Sequence, residues 1–375
     1  MDCDLQMDLG ETGILEKVVR RAARERLPVG GAFDLTYRCN YRCLHCYAGH
    51  LTAQPRSGAA ELATEQVVGL LHAAADAGCL LLLLSGGEPL LREDFVDIYV
   101  AARRLGLVVT VFTNAGLVAD DHLDVFEEYP PHLVEVSIYG ASEATYERIT
   151  GVAGSFRRTH LGIERLLERG VRVGLKTMIL RDNVDEVAAM GEFADSLDVR
   201  FRVDPLVAPR LNGDLGPLAH RVDAEVAVGI ELASDRRRGK LAEFLEEYGP
   251  VVDGESEGSK SRLFRCGAGL SSFHVDPQGV MRPCLMGTAY GFSTAVSGFD
   301  GAWAAVKAAV DAAVWEGTGG CRDCGDVLLC GYCPGLFALE QATPSEPPRY
   351  VCSLGRNRRR MIEQDRVEVA SVAAC

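Results

Sequence analysis

Short apolar segments alternate with longer amphipathic segments through the first half of this chain, and no other feature limits its possible folds as strongly. The apolar segments predict six strands, at 32–37, 80–85, 108–113, 133–138, 171–179 and 199–203. The segments between them predict helices at 63–77, 93–105, 121–128, 156–169 and 184–197. This order predicts an α/β fold with a parallel sheet, either open or closed into a full or partial barrel.

Each of the first four predicted strands ends in a polar motif. The first leads into a cysteine-rich segment, the second ends in SGGEP at Ser85–Pro89, the third at Thr113–Asn114 and the fourth at Ser137–Tyr139. The carboxyl ends of parallel strands share one edge, which is where α/β proteins bind ligands. We therefore expect the functional site at this edge. Asp204, which ends the sixth strand, is a candidate general base there, and Tyr139 is an alternative.

The chain contains 13 cysteines, which fall into two groups separated by a cysteine-poor middle. The N-terminus has neither the basic region nor the apolar region of a signal peptide, and no apolar run is long enough to span a membrane. These features favour a cytoplasmic protein whose reduced cysteines bind metal. The net charge of −14 argues against a nucleic-acid-binding surface, which needs clustered Lys and Arg.

The first group is Cys39, Cys43 and Cys46, in the arrangement Cys-x-x-x-Cys-x-x-Cys. Three thiolates on one short loop can hold three corners of an iron–sulfur cube and leave one iron open to another ligand. A zinc site that recruits His45 or His50 is the alternative, although structural zinc sites favour paired Cys-x-x-Cys motifs. The spacing favours iron–sulfur.

The segment CNYRCLHCY, followed by SGGEPLLRED, resembles the radical S-adenosylmethionine superfamily. The resemblance runs from the first strand through Val203 and implies a partial (β/α)6 TIM-like barrel. It also implies a 4Fe-4S cluster on the three thiolates, whose open iron binds S-adenosylmethionine. In that family the reduced cluster cleaves S-adenosylmethionine to a 5′-deoxyadenosyl radical, which abstracts a substrate hydrogen.

The resemblance also implies roles for individual residues at the strand ends. Gly86, Gly87 and Glu88 match the segment that binds the methionine amino group, where glycines permit close backbone approach and a carboxylate suits an ammonium. Asn114 and Ser137 resemble ribose contacts, and Lys176 matches a basic position that pairs with the methionine carboxylate. His45 and Tyr47 flank Cys46, where the family often places an aromatic residue near the adenine.

The second group lies in a loop-rich segment rich in glycine and proline. Its seven cysteines exceed one tetrahedral site, so they predict two clusters, or one cluster and a zinc ion. These cysteines are Cys266, Cys284, Cys321, Cys324, Cys330, Cys333 and Cys352.

The second group, with the segment CGAGLSSFHVDPQGVMRPC, resembles the SPASM domain, which holds two auxiliary 4Fe-4S clusters. The resemblance implies that Cys266, Cys284 and Cys333 ligate the first cluster, whose fourth ligand is unidentified. It implies that Cys321, Cys324, Cys330 and Cys352 ligate the second. The commonest form of the family has three residues between the last two close cysteines, whereas only Gly331 and Tyr332 lie between Cys330 and Cys333. This departure resembles a sub-branch of peptide maturases.

We expect four regions. These are an N-terminal helical extension at 1–30, a radical S-adenosylmethionine core at 31–205, a bridging helical region at 206–262, and a SPASM domain with a C-terminal helix at 263–375. Cys79, Cys3 and Cys375 remain outside both cysteine groups, and we expect no role for them.

The resemblance implies a peptide-modifying enzyme that forms an oxidative crosslink, such as a thioether or carbon–carbon bond, in a ribosomally made precursor peptide. One alternative is a dehydrogenase-type radical enzyme acting on a protein Ser or Cys or on a small alcohol. Another is an iron–sulfur electron carrier, which would not need the nucleoside contacts. The expected partners are the precursor peptide, a separate leader-binding protein, and a reductase, flavodoxin or ferredoxin as electron donor. The 38 residues before Cys39 are too few for a leader-binding domain.

Overall fold

The computed structural model describes residues 13–49, 51, 60–248, 262–315 and 319–373. Nine strands form one sheet in this part of the chain. They are β1 Gly30–Thr36, β2 Leu81–Gly86, β3 Val108–Thr113, β4 Leu133–Ser137, β5 Val173–Met178, β6 Arg200–Asp204, β7 Ser272–Val275, β8 Val280–Arg282 and β9 Phe292–Ser293. Their spatial order is β6-β5-β4-β3-β2-β1-β7-β8-β9.

Strands β1 to β6 are all parallel, and each pairs with the next in sequence. The strand order is linear, so β6 and β9 are the two edges of the sheet and the barrel is partial. The α/β fold with six parallel strands that the sequence predicts is therefore confirmed.

Helices connect the parallel strands and cover one face of the sheet. The described α-helices are α1 Gly13–Glu25, α2 Thr64–Asp76, α3 Phe95–Arg104, α4 Asp120–Glu128, α5 Glu143–Thr150, α6 Ser155–Glu168, α7 Val187–Ser196, α8 Ala224–Glu231, α9 Asp235–Tyr248, α10 Thr294–Ala312, α11 Pro334–Leu339 and α12 Arg349–Ala373. The five predicted helices correspond to α2, α3, α4, α6 and α7. The short helix α5 was not predicted.

The two faces of the sheet have different side chains because alternate residues of a strand point in opposite directions. On β2, Leu82 and Leu84 are fully buried in the core under the helices, whereas Leu83 lines a cavity on the other face. On β1, Phe33 and Leu35 belong to the same core, whereas Asp34 faces the cavity. The concave face of the sheet therefore encloses a space in which polar side chains are placed.

The C-terminal cysteine-rich segment continues the same sheet. Strand β7 pairs in parallel with β1, with Ala32 opposite His274, and β8 and β9 then follow as antiparallel strands. Phe273 packs against Phe33 and against Trp303 of α10, which joins this segment to the main core. The two cysteine groups are therefore attached to one continuous sheet.

A search of the described helices finds none with the length and apolar composition needed to cross a membrane. His50, Cys3 and Cys375 lie outside the described residues, as do the first twelve residues of the expected N-terminal extension.

Helix α6 packs directly on the turn that follows β3, and this contact generates a stability prediction. A Cβ atom at Gly162 would lie 2.0 Å from the carbonyl oxygen of Ala115. We expect G162A to lower the free energy of unfolding by about 1–3 kcal/mol, the usual cost of overpacking. Urea unfolding of the cluster-free chain, followed by circular dichroism, measures this change.

The matched control is G69A in α2, where a Cβ would have no neighbour within 4 Å. At that exposed helical position we expect a gain of up to about 1 kcal/mol, because alanine has the higher helix propensity. Equal effects of the two substitutions would contradict the close contact at Gly162.

Candidate functional site

A cavity of about 340 Å³ lies at the carboxyl ends of the parallel strands. Most of the residues expected to form the functional site line this cavity, but Glu88 does not. Those that line it are Cys39, Cys43, His45, Cys46, Tyr47, Gly86, Gly87, Asn114, Ser137, Lys176 and Asp204. The cavity also reaches the C-terminal segment at Cys284, Leu285 and Met286.

The loop after β1 carries the three thiols of the first cysteine group into this cavity. Backbone hydrogen bonds from Arg42 N to the Thr150 oxygen (2.7 Å) and from Leu44 N to the Ile149 oxygen (3.0 Å) hold the loop against α5. Burial raises the pKa of Cys39 to about 12, and the pKa values of Cys43 and Cys46 are also raised, mainly by burial. A bound metal cation reverses this effect because it stabilises the thiolate form.

The two glycines of SGGEP lie so close to the backbone that leads into this loop that no side chain fits at either position. A Cβ at Gly86 would lie 2.2 Å from the Thr36 oxygen, and one at Gly87 would lie 2.3 Å from the Arg38 oxygen. At these positions Gly87 N donates to Thr36 (2.7 Å) and Glu88 N donates to Arg38 (2.9 Å). Gly86 and Gly87 were expected to let a ligand approach the backbone closely. In the structure, the backbone that approaches them closely is that of Thr36 and Arg38, where β1 leads into the cysteine loop.

The side chain of Glu88 points away from the cavity, in contrast to the expected contact with an ammonium group. Its carboxylate is fully buried and accepts hydrogen bonds from Thr113 Oγ1 (2.7 Å), Asn114 N (2.7 Å) and Leu90 N (3.1 Å). Burial raises the pKa of Glu88 to about 7, against the effect of these three donors. In this arrangement Glu88 fixes the end of β3 beside the end of β2.

Asn114 and Ser137 line the cavity beside the cysteine loop. Asn114 Nδ2 donates to Asn40 Oδ1 at 2.7 Å, and its Oδ1 accepts from Gly116 N at 2.8 Å. Helix α6 supports this strand end, because Thr159 Oγ1 donates to the Asn114 carbonyl oxygen at 2.9 Å.

Lys176 lies inside the barrel in a group of charged side chains. Its Nζ is 3.5 Å from Oε2 of the fully buried Glu135, which also pairs with Arg200 (2.7 Å) and Arg202 (2.8 Å). Burial lowers the pKa of Lys176 to about 7, with Glu135 opposing and Arg202 adding to the effect. The cations Lys176, Arg200 and Arg202 outnumber the two carboxylates, Glu135 and Asp204, so this side of the barrel carries an excess of positive charge while Lys176 is protonated.

His45 and Tyr47 place aromatic rings on both sides of Cys46. The His45 ring makes an edge contact with Tyr139, with ring centroids 4.6 Å apart, and burial lowers the pKa of His45 to about 4. Burial also raises the pKa of Tyr47 well above its usual value. Both rings are therefore neutral and suited to packing against a flat ligand.

Asp204 lies at the end of β6, as predicted, and lines the cavity. Its Oδ1 accepts a hydrogen bond from Leu206 N at 2.9 Å, which orders the turn after the strand. A second acidic group, Asp34 on β1, was not predicted; it contacts His274 on β7. The sequence signal for both residues is a charged or titratable side chain between two apolar ones, Phe33-Asp34-Leu35 and Phe273-His274-Val275.

Four of the C-terminal cysteines lie near one another. The charges of Cys321, Cys352 and Cys324 contribute, after burial, to raising the pKa of Cys330 to about 12, so these four thiols lie near one another. Cys284 lines the cavity, and the Cys333 Sγ accepts from Leu336 N at 3.4 Å at the start of α11.

No three His, Cys, Asp or Glu side chains in the described ranges are gathered closely enough to hold a single metal ion. Four-iron clusters bind each thiolate through a separate iron, so their sulfur ligands stand further apart than those around one ion. Cys79 is buried at the start of β2, where its Sγ is 3.6 Å from the Leu81 oxygen.

Residues 33–194 match the family described as the radical SAM superfamily. An AdoMet-dependent heme synthase from Methanosarcina barkeri is 33% identical over 184 residues, which are 49% of this chain and 52% of the synthase. A PqqA peptide cyclase from Methylobacterium sp. is 30% identical over an alignment of 269 residues, which covers 68% of this chain and 66% of the cyclase. The chain thus spans between half and two thirds of the length of these curated relatives.

The fold is similar to that of SuiB from Streptococcus suis, with a TM-score of 0.64 at 14% identity over 92% of this chain and 84% of SuiB. Structures of SuiB bound to S-adenosylmethionine and to the precursor peptide SuiA have the same similarity in fold, with TM-scores of 0.62.

The raised pKa of Glu88 predicts a pH effect on stability. A carboxyl group with a pKa of 4.5 when unfolded and about 7 when folded favours folding most below pH 4.5. Relative to E88Q, which cannot ionise, we expect the wild type to lose on the order of 3 kcal/mol of stability as the pH rises from 4.5 to above 7. Urea unfolding of both cluster-free chains across this range measures the difference.

The difference between the two proteins isolates Glu88, because every other titrating group is common to both. A difference that stays constant with pH would show that Glu88 ionises normally in the folded protein.

Proposed function

Residues 33–194 make this chain a member of the radical SAM superfamily, and on that premise we propose that it oxidatively modifies a peptide substrate. The observation that carries the proposal is a single cavity lined by the three thiols of the cysteine loop, the glycines at the end of β2 and Cys284. This cavity brings a cluster site, a nucleoside site and the C-terminal segment together. An electron carrier needs only the first of these.

We assign the radical-generating cluster to Cys39, Cys43 and Cys46. Three partly buried thiols that face one cavity suit a cluster with an open iron, and their desolvation leaves them dependent on a bound cation for ionisation. When bound there, the 4Fe-4S cluster supplies the electron that cleaves S-adenosylmethionine to methionine and the 5′-deoxyadenosyl radical.

The chain's own residues bind and orient S-adenosylmethionine in this proposal. The Gly86–Gly87 backbone forms the wall next to the cluster loop, and Lys176 lies in the barrel where excess positive charge suits the methionine carboxylate. Asn114 and Ser137 offer polar groups for the ribose. Glu88 acts indirectly, because its carboxylate holds Asn114 in place.

Apolar side chains on the cavity wall exclude water from the substrate radical. Leu83, Phe112 and Met286 line the same space as the cysteine loop. Exclusion of water prevents side reactions of a reactive intermediate. The carbon that loses its hydrogen is therefore expected to enter between this wall and the loop.

We propose that the C-terminal cysteines hold two auxiliary 4Fe-4S clusters in a SPASM-like arrangement. Four mutually close thiols, Cys321, Cys324, Cys330 and Cys352, match the ligand number of one complete cluster. Cys266, Cys284 and Cys333 would hold the other, and Cys284 brings it to the wall of the cavity. A one-electron donor such as a flavodoxin or ferredoxin is then required.

A peptide is favoured as the substrate because the match to the PqqA peptide cyclase covers 68% of this chain, well beyond the radical SAM domain. SuiB, whose fold extends over nearly the whole chain, binds a precursor peptide. Porphyrin chemistry is the second candidate, since the heme synthase has the higher identity, 33%, but over a shorter match of 184 residues.

Replacing Cys46 by alanine is expected to abolish 5′-deoxyadenosine formation under anaerobic conditions with a chemical reductant. The wild type should contain roughly twelve irons per chain, four for each of three clusters, and C46A about four fewer. Chromatography of the nucleoside and iron analysis measure both effects.

C79A is the matched control, because Cys79 is also buried but lies outside both groups. We expect this variant to retain full iron content and nucleoside formation. Nucleoside formation by C46A, or its loss in C79A, would contradict the assignment of the cluster site. About four irons in the wild type would contradict the auxiliary clusters.

A perdeuterated pool of tryptic peptides tests the substrate class without knowledge of the sequence modified. We expect deuterium to pass from the pool into 5′-deoxyadenosine, because the radical takes a hydrogen atom from the peptide. Mass spectrometry of the nucleoside measures the transfer, and that of the pool identifies peptides that have lost two hydrogens, at least one of them a carbon-bound deuterium.

Fe-coproporphyrin III is the competing probe in a parallel reaction. The peptide proposal predicts that it remains unchanged. Conversion of the porphyrin, with no deuterium transfer from the peptide pool, would favour the second candidate.

A further inference from the structure

Asp34 and His274 form a buried pair that none of the roles assigned above uses. Asp34 Oδ2 is 3.0 Å from His274 Nε2, and each side chain is only 3% exposed. Strands β1 and β7 set this distance, because Ala32 pairs with His274 and Asp34 lies two residues further along the same face. The contact therefore depends on the joining of the C-terminal segment to the parallel sheet.

The pair lies on the wall of the same cavity, beside the groups expected to bind S-adenosylmethionine, because Asp34 pairs with Ser85 next to the glycines of SGGEP. Those groups belong to β2 through β5, whereas the pair belongs to β1 and β7, next to the segment that ends in Cys284. The negative charge of Asp34 contributes, after burial, to raising the pKa of Tyr47, which places Asp34 near the cysteine loop. The pair therefore lines the cavity on the side of the C-terminal segment, where a substrate beside S-adenosylmethionine can reach it.

His274 differs from a histidine that only fills the core. Its Nδ1 is buried and has no hydrogen-bond partner among the described residues. His122, in contrast, is buried under the helices, where Nδ1 accepts from Ala119 N at 3.2 Å. A buried nitrogen with no partner is costly unless a ligand or substrate supplies one.

We propose that Asp34 and His274 together accept a proton from an O–H, N–H or S–H group of the substrate in this cavity. The heteroatom–hydrogen bond breaks, its electron pair stays on the heteroatom, and the proton bonds to the imidazole. Neutral imidazole becomes imidazolium, whose charge the adjacent carboxylate balances. The step needs no oxidant of its own. The nucleophile it leaves would bond to a carbon that has lost a hydrogen atom to the 5′-deoxyadenosyl radical and one further electron to an auxiliary cluster of the proposed function.

This inference deepens the proposed function and depends on it, since it requires a substrate in the same cavity. It also replaces Asp204 as the favoured general base. Asp204 is held by the backbone of its own turn and lacks an imidazole partner among the described residues, whereas Asp34 orients one. A carboxylate that orients an imidazole and stabilises its protonated form is an established arrangement for a base.

The experiment uses D34N, H274Q, the double variant and the control H122Q, all with the cluster-loaded full chain and the perdeuterated peptide pool. Deuterium transfer into 5′-deoxyadenosine should stay within about twofold of wild type in every variant. Oxidised peptide per nucleoside should fall by roughly 100-fold in D34N and H274Q but not in H122Q, the scale of general-base catalysis. The double variant should lose no more than the single variants, because the pair acts as a unit.

If Asp34 and His274 only stabilised the fold, their substitution would also change S-adenosylmethionine binding and nucleoside formation. The dissociation constant of S-adenosylmethionine, measured by equilibrium dialysis, should match wild type in all variants. Loss of nucleoside formation together with weakened S-adenosylmethionine binding in both D34N and H274Q would overturn the proposal in favour of a structural role. So would an unchanged yield of oxidised peptide. Absence of deuterium transfer in the wild type would instead refute the proposed function, and this inference with it.

Discussion

The site depends on the backbone contact between the end of β2 and the loop that carries the first three cysteines. Two hydrogen bonds, from Gly87 to Thr36 and from Glu88 to Arg38, bring the strands so close that no side chain fits between them. The same contact turns the Glu88 carboxylate inward to hold the next strand end. Three neighbouring strand ends are therefore fixed by one short segment. A loop on its own could not hold thiols, glycines and polar groups around one cavity with this precision.

Charge is distributed unevenly across the inside of the barrel. On the β4–β6 side, Lys176, Arg200 and Arg202 accompany two carboxylates, Glu135 and Asp204, which leaves an excess of positive charge. On the β1–β7 side, Asp34 is accompanied by a single histidine. The electrostatic potential therefore differs between the two sides of the cavity. This difference favours a ligand whose anionic group points towards β5 and whose proton-releasing group points towards β1. The orientation of two reactants in one cavity follows from this polarity.

Sequence periodicity predicted the parallel strands because each is a compact apolar segment whose neighbours along the chain are also its neighbours in the sheet. The strand-end motifs were likewise visible, since each is local. The orientation of Glu88 was not, because a buried carboxylate and a ligand-facing one have the same local sequence. The pairing of β7 with β1 could not be predicted from the sequence either, because β7 is four residues long and its partner lies some 240 residues earlier in the chain. For this reason the pair formed by Asp34 and His274 emerged only from the structure.

The pairing of β1 with β7 has a consequence for how the chain is made. During synthesis β1 leaves the ribosome early, but one edge of it lacks its partner until residues beyond 275 have followed. Contacts of such sequence separation form slowly, and an uncovered strand edge is a template for pairing with other chains. The order of assembly is therefore constrained: the N-terminal strands cannot complete their sheet until the second cysteine-bearing segment has been synthesised. Newly made protein thus passes through a period in which it is open to aggregation, and its yield in cells is expected to depend on chaperones.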